Sequence, residues 1–154
     1  MKKVSNIAVV GATGLVGKTF LQLLESDHFL DSDIHLVASK KSEGKKITFR
    51  DSDYIVSSLD DFDFSKVELA FFSAGSEVAN EYAPKAVEQG CFVVDNSSCF
   101  RKDKNIPLIV PEVNPEALLD YPIPGIVANP NCSTIQMLVA LKPLHDLFNI
   151  NRID

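Results

Sequence analysis

IAVVGATGLVG, residues 7–17, is the stretch on which the fold turns. Four apolar residues, Ile7, Ala8, Val9 and Val10, run into Gly11-Ala12-Thr13-Gly14-Leu15-Val16-Gly17. The pattern then changes to a helical stripe at Val16, Phe20, Leu23 and Leu24. A strand covered on both faces is apolar throughout, and the change to a 3.6-residue period marks the turn into a helix. The three glycines follow a G-x-x-G-x-x-G variant of the dinucleotide fingerprint. Glycine allows the tight turn and lets a pyrophosphate approach the backbone, while free N–H groups at the helix start favour the anion. A glycine triplet alone is only a turn that packs a helix on a sheet. The strand before it and the helix after it make this one a phosphate loop.

Working outward, short apolar runs at residues 34–38, 69–73, 92–95, 108–110 and 125–128 read as further strands, with 54–57 a weaker one. A second helix is expected from Ser76, as N-cap, towards Gln89, kinked or split at Pro84 and closed by Gly90. A third starts near Cys132 and carries Ile135, Leu138 and Val139, bent or ended by Pro143. Alternating strands and helices predict an α/β fold: a Rossmann-like, doubly wound, mainly parallel sheet with helices on both faces. Residues 1–154 read as one dinucleotide-binding domain, and the chain is expected to stop as Arg152-Ile153 open another element.

The 154 residues are 45% hydrophobic, enough for a core without disulfides or metals. Their net charge of −6 argues against nucleic acid or an anionic membrane as a partner. No apolar run approaches the roughly 20 residues of a membrane span, and residues 7–10 enter a glycine turn, not a signal-peptide cleavage site. Cys91, Cys99 and Cys132 form no CxxC pair and no metal-ligand spacing, so no metal is expected and a reduced, cytoplasmic setting fits.

The end of the second strand chooses between cofactors. An NAD site places an acidic residue there for the ribose 2′-hydroxyl. This chain has Ser39-Lys40-Lys41-Ser42, followed by Lys45 and Lys46, which suits the 2′-phosphate of NADP. The alternative is a solvated basic loop. Cys132 follows Asn129-Pro130-Asn131 at a helix start, where thiolate is favoured. Asn131 and nearby backbone N–H groups can stabilise an oxyanion. On its own, Cys132 reads equally well as a small buried hydrophobe. Arg101, in Asp95-Asn96-Ser97-Ser98-Cys99-Phe100-Arg101, suits a phosphate or a carboxylate, or else pairs with Asp103 or water at the surface. Ser73-Ala74-Gly75-Ser76 offers small residues beside which a nicotinamide can lie.

Together VVGATGLVG, ASKKSEGK, FFSAGS, VVDNSSCFR, LIVPEVNP and ANPNCSTIQM resemble aspartate-semialdehyde dehydrogenase over nearly the whole chain. The resemblance implies reductive dephosphorylation of β-aspartyl phosphate, an acyl phosphate of amino-acid biosynthesis, through a Cys132 acyl-thioester. Arg101, with Asn96, would hold the phosphate, and NADPH would reduce the thioester. It also implies that Thr13, Gly14, Leu15 and Val16 contact the pyrophosphate, beside Gly11 and Gly17 of the same loop. Lys41 and Ser42 take the positions for the 2′-phosphate, where arginine then serine is common. Ser73, Ala74, Gly75 and Asn96 line the nicotinamide side. Cys99 departs from the usual alanine. The family's substrate-carboxylate arginine, catalytic glutamine, general-base histidine and second phosphate lysine belong to a later substrate and dimerisation domain, absent here. His28, His35 and His145 do not match that histidine and read as surface or element-end residues. The full-length protein is expected to be a homodimer or homotetramer. Two rivals remain: an enzyme like N-acetyl-glutamyl-phosphate reductase, and a non-catalytic dinucleotide-binding paralogue.

Overall fold

The first apolar run becomes β1 (Asn6–Val10), which lies inside a parallel sheet next to β2 (Asp33–Ala38), with Val10 opposite Val37. The computed structural model describes residues 4–25 and 29–153. After β2 the chain makes an antiparallel hairpin, β3 (Lys46–Phe49) and β4 (Ser52–Ile55), and returns as the short β5 (Ser57–Ser58). Then follow β6 (Leu69–Phe72), β7 (Phe92–Asp95) and β8 (Ile126–Ala128). The sheet order is β5-β2-β1-β6-β7-β8, every pair parallel. The order runs outward from β1 one way and from β6 the other, so a crevice opens between those two strands at their C-terminal ends. This is the doubly wound arrangement the sequence predicts.

Both faces are covered, which is why the strands are apolar throughout. Ile7 and Val9 pack in a core with Leu21 and Leu24 of α1 (Leu15–Leu24). Ala8 and Val10 point the other way, into a core with Ala79, Ala83 and Ala86 of α2 (Ser76–Glu88). With those three alanines buried, α2 is one continuous helix with Pro84 inside it, not the two short helices that are the alternative to a kink. Gly90, at φ +93°, closes it: its N–H donates to the Val87 carbonyl and that of Cys91 to the Ala86 carbonyl. Likewise α3 (Cys132–Phe148) runs past Pro143, spanned by the 2.6 Å Lys142–Asp146 ion pair. No residue of α3 is buried, and Leu147 and Phe148 are about three-quarters exposed. Residues 149–153 form no regular element.

Other expectations shift. The buried stripe of α1 is Gly17, Leu21 and Leu24, whereas Val16 and Leu23 face outward. Ser76 is the first helical residue; Gly75, at φ +93°, is the N-cap. Residues 108–110 make only one bridge, Leu108 to Ala128, because Pro107 and Pro111 leave no room for a ladder. The weak strand at 54–57 is shared between β4 and β5. His35 is half-buried inside β2, edge-on to the Phe62 ring, with burial lowering its pKa. His145 is exposed on α3, and His28 lies outside the described residues.

The β3–β4 hairpin turns on Arg50 and Asp51, both at positive φ (50° and 56°), without the glycine or asparagine that signals such a turn. The Arg50 guanidinium offsets that strain. Its Nη1 donates to the Leu30 and Ser32 carbonyls, and its Nη2 to those of Leu24 and Phe29. It thereby ties the C-terminal end of α1 to the chain entering β2. Arg50→Ala is expected to cost about 3 kcal/mol, roughly 6–12 °C in Tm. Arg50→Gly should lose about 1 kcal/mol less, since glycine takes the positive φ freely. Equal melting points for both variants and the native protein, by calorimetry, would disprove the tie.

Candidate active site

The C-terminal ends of β1, β2, β6, β7 and β8 bring nearly all the sequence-singled residues to one edge. At the end of β1, Gly11 has φ +88° and donates its N–H to the Val37 carbonyl at 2.8 Å. A Cβ there would lie 2.8 Å from the Ser73 carbonyl oxygen, and one at Gly17 would run into the Gly11 carbonyl. Both glycines are therefore required by close approach of backbone to backbone. Gly14 is the N-cap of α1 and contributes no side-chain cap, which leaves first-turn amides for an anion. Thr13 is half-buried, while Leu15 and Val16 are exposed on the outer side of the loop. The loop opens on a cleft of about 360 Å³, reached also by Ser39, Ser73 and Ala74. These features fit a dinucleotide pyrophosphate.

The lysine turn divides. Lys40 and Lys41 are exposed in a 3₁₀ turn, and Ser39 lines the cleft. Ser42 is buried, with its hydroxyl accepting from Lys45 Nζ at 3.3 Å. Of the expected Lys41–Ser42 pair, Lys41 is thus the member exposed to solvent. On the other side of β1, the Ser73 hydroxyl donates to the Val10 carbonyl. Ser76 pairs through its hydroxyl with Ser98 at 3.0 Å.

The β7 and β8 ends hold Asp95, Asn96, Arg101, Asn129 and Cys132. Asp95 is fully buried, accepting from the Ser97 N–H (2.9 Å) and hydroxyl (2.7 Å). This turn folds residues 96–101 back over the sheet edge. Arg101 then reaches across: Nε donates to the Asn129 carbonyl at 2.8 Å and Nη2 to the Asn96 carbonyl at 3.0 Å. It does not pair with Asp103, whose Oδ1 accepts from the Asn105 N–H. The Asn129 amide donates to Asn96 Oδ1 at 2.6 Å. Three residues beyond Asn129, Cys132 opens α3 and is exposed. Asn131 Oδ1 caps that helix, accepting from the Ser133 N–H (3.0 Å) and hydroxyl (2.6 Å), with the Cys132 thiol at 3.8 Å. An accessible thiol at a helix start and a clamped guanidinium therefore share one strand end.

The other thiols are placed differently. Cys91 is sealed in the core, and burial pushes it up to about 12. Cys99 turns towards Asn80 of α2, with burial and then the Asp95 carboxylate raising its pKa.

The model of the semialdehyde dehydrogenase NAD-binding domain matches residues 6–121. The chain belongs to that family. It is 55% identical, along its whole length, to the aspartate-semialdehyde dehydrogenase of Legionella pneumophila, covering 44% of that protein. Aspartate semialdehyde dehydrogenase II of Vibrio cholerae, solved in complex with ASA, superposes at TM-score 0.88 with 50% identity, over 94% of this chain and 47% of that one. The Candida albicans enzyme, solved with NADP, gives 0.81 with 31% identity, over 96% and 48%. The chain thus spans less than half the length of these relatives. No helix among the described residues is long and apolar enough to cross a membrane.

Sequence reading alone passed over Asp95 and Asn129, although it quoted both segments. An aspartate closing an apolar strand before Asn-Ser-Ser carries an Asx-turn signal. Nothing in the sequence marks the Asn129–Asn96 contact. Asp60 and Tyr82 were missed as well, and both line the dinucleotide cleft.

Proposed function

We propose that residues 1–154 are the NADP-binding domain, with the nucleophilic cysteine, of an aspartate-semialdehyde dehydrogenase that reduces β-aspartyl phosphate. The observation that carries this is the Arg101 clamp: it holds a guanidinium beside the strand end from which exposed Cys132 starts α3. The Cys132 thiolate attacks the acyl carbonyl and phosphate leaves, so a C–O bond breaks as a C–S bond forms. Arg101, whose Nη1 has no partner among the described residues, holds the departing phosphate, with the Asn96 side chain beside it. Backbone N–H groups at the start of α3, with the Asn131 amide, face the oxyanion. NADPH, when bound, supplies the hydride that reduces the thioester to the aldehyde and frees the thiolate. Gly11, Thr13, Gly14, Leu15, Val16 and Gly17 hold its pyrophosphate; Ser39 and Lys41 face the 2′-phosphate on a turn that Ser42 braces through Lys45. Ser73, Ala74, Gly75 and Asn96 flank the nicotinamide. The glycines without room for a Cβ and the uncapped α1 support this fit.

The second half of such an enzyme supplies the general base and the substrate-carboxylate site, and mediates assembly into a homodimer or homotetramer. The apolar residues exposed on α3 support its packing there. By itself the 154-residue chain binds NADPH and turns over negligibly, and the enzyme works in the cytoplasm. The test follows NADPH formation from aspartate semialdehyde, phosphate and NADP, by the chain and by the full-length enzyme. Turnover by the full-length enzyme alone is expected. Preference for N-acetyl-glutamate semialdehyde would favour the related reductase, and inactivity of the full-length protein would favour the non-catalytic paralogue.

A further inference from the structure

Strand order sets which half of a dinucleotide lies where. Asn96, Arg101 and Cys132 follow β7 and β8, so the reacting end of the cofactor belongs on that side of the β1–β6 crevice. Its base must then run towards β2 and β5. On that side the cleft is walled by Leu59 and Asp60, just past β5, and by Val78 and Tyr82 of α2. The Tyr82 hydroxyl donates to Asp60 Oδ1 at 2.9 Å, joining the two walls. That bond is the leading reason the phenol pKa is raised, so Tyr82 stays the donor of the pair. Lys85 Nζ lies 4.6 Å from the Tyr82 ring centroid and is paired with Glu81 at 2.9 Å. Among the described residues, Asp60 Oδ2 has no hydrogen-bond partner.

Two aliphatic side chains, an aromatic ring and one carboxylate oxygen match a flat, apolar ligand whose edge carries a donor. We propose that Tyr82 and Asp60 are the base-selecting pair of this site: Tyr82 walls the purine, and Asp60 accepts from its 6-amino group. A 6-oxopurine would turn a carbonyl oxygen towards the same carboxylate and be repelled. The charges divide accordingly. The negative wall carries the base, and Lys40 and Lys41, past β2, are left for the 2′-phosphate. This selection rests on the NADP reading above and adds the residues that tell one base from another.

The test is equilibrium binding to the purified protein of NADPH, reduced nicotinamide hypoxanthine dinucleotide phosphate, and 2′,5′-ADP. The native protein is expected to favour adenine over hypoxanthine about tenfold, the scale of one well-placed polar contact. Asp60→Ala should bring the two within about twofold, and Tyr82→Ala should weaken 2′,5′-ADP about tenfold by removing the stacking wall. Tyr82→Phe keeps the ring but unties Asp60, so the base preference should fall while 2′,5′-ADP binds within about threefold of native. Asp60 is exposed, so its removal leaves the core intact. An unchanged preference in Asp60→Ala, or none in the native protein, overturns the base-selecting role and leaves NADP binding standing. Binding of none of the three ligands by the native protein overturns the cofactor reading and this inference with it.

Discussion

Cys132→Ala is expected to remove turnover by the full-length enzyme by about 10⁴-fold or more while NADPH binds as before. Deleting a nucleophile abolishes the covalent route, and no neighbouring group replaces it. Cys91 is buried and pushed up to about 12, and Cys99 faces α2, so neither thiol can substitute. Folding should be spared, because Cys132 is exposed and the helix it opens is capped by Asn131, not by the sulfur. Cofactor binding should be spared too, since the glycine loop at the end of β1 has its own backbone supports from Val37 and Gly11. Cys132→Ser tests the chemistry more finely: the hydroxyl keeps the size but not the low pKa of a thiol, and should recover little. Mass spectrometry of the native enzyme mixed with acyl phosphate, without NADPH, should find an acyl adduct on the peptide bearing Cys132. An alanine variant retaining more than about one per cent of native kcat would end the thioester proposal.

The parts legible in advance are those that a local rule decides. The run from Ile7 to Gly17 specifies strand, loop and helix together, because neither Gly11 nor Gly17 has room for a Cβ. Continuous apolar runs located five of the six sheet strands, since burial on both faces leaves few polar positions in them, such as His35 in β2 and Asp95 at the end of β7. The exception, β5, has only two residues, too few for a pattern. The β3–β4 hairpin was illegible for another reason: its turn uses Arg50 and Asp51, held at positive φ by contacts to carbonyls 18 to 26 residues away. Residues 108–110 misled through composition, their apolar character serving burial of Ile109 and Val110 without a ladder. The site divides along the same line. Cys132 and Arg101 stand out by type and by position at strand ends. Asn129 does not, because its meaning lies in a partner 33 residues earlier. Ser42 reads as a phosphate ligand by position, yet the residue is buried and its hydroxyl accepts from Lys45. Only a side chain's direction distinguishes it from Ser39, which lines the cleft.

For Arg101 the expected loss falls on phosphate, not on the dinucleotide. Two of its nitrogens are committed to the carbonyls of Asn96 and Asn129, which aims the rest of the fork outward without a flexible search. A guanidinium so fixed loses little rotamer entropy when an anion arrives. Truncating a charge-assisted contact of this kind costs about 3 kcal/mol, on the order of 10²-fold in kcat/KM. Arg101→Ala should therefore raise KM for phosphate, or for β-aspartyl phosphate, by roughly that factor, with NADPH affinity within about twofold of native. Some stability goes as well, because two half-buried carbonyls lose their donor, so activity must be compared at temperatures well below each variant's Tm. Arg101→Lys separates the two roles. An ammonium restores the charge but cannot bridge Asn96 and Asn129 while facing an anion. It should recover stability better than phosphate affinity. If the lysine variant instead binds phosphate as the native enzyme does, charge alone suffices and the clamp is structural. If the alanine variant loses NADPH and phosphate equally, the guanidinium serves the fold of the strand ends and does not hold the leaving group.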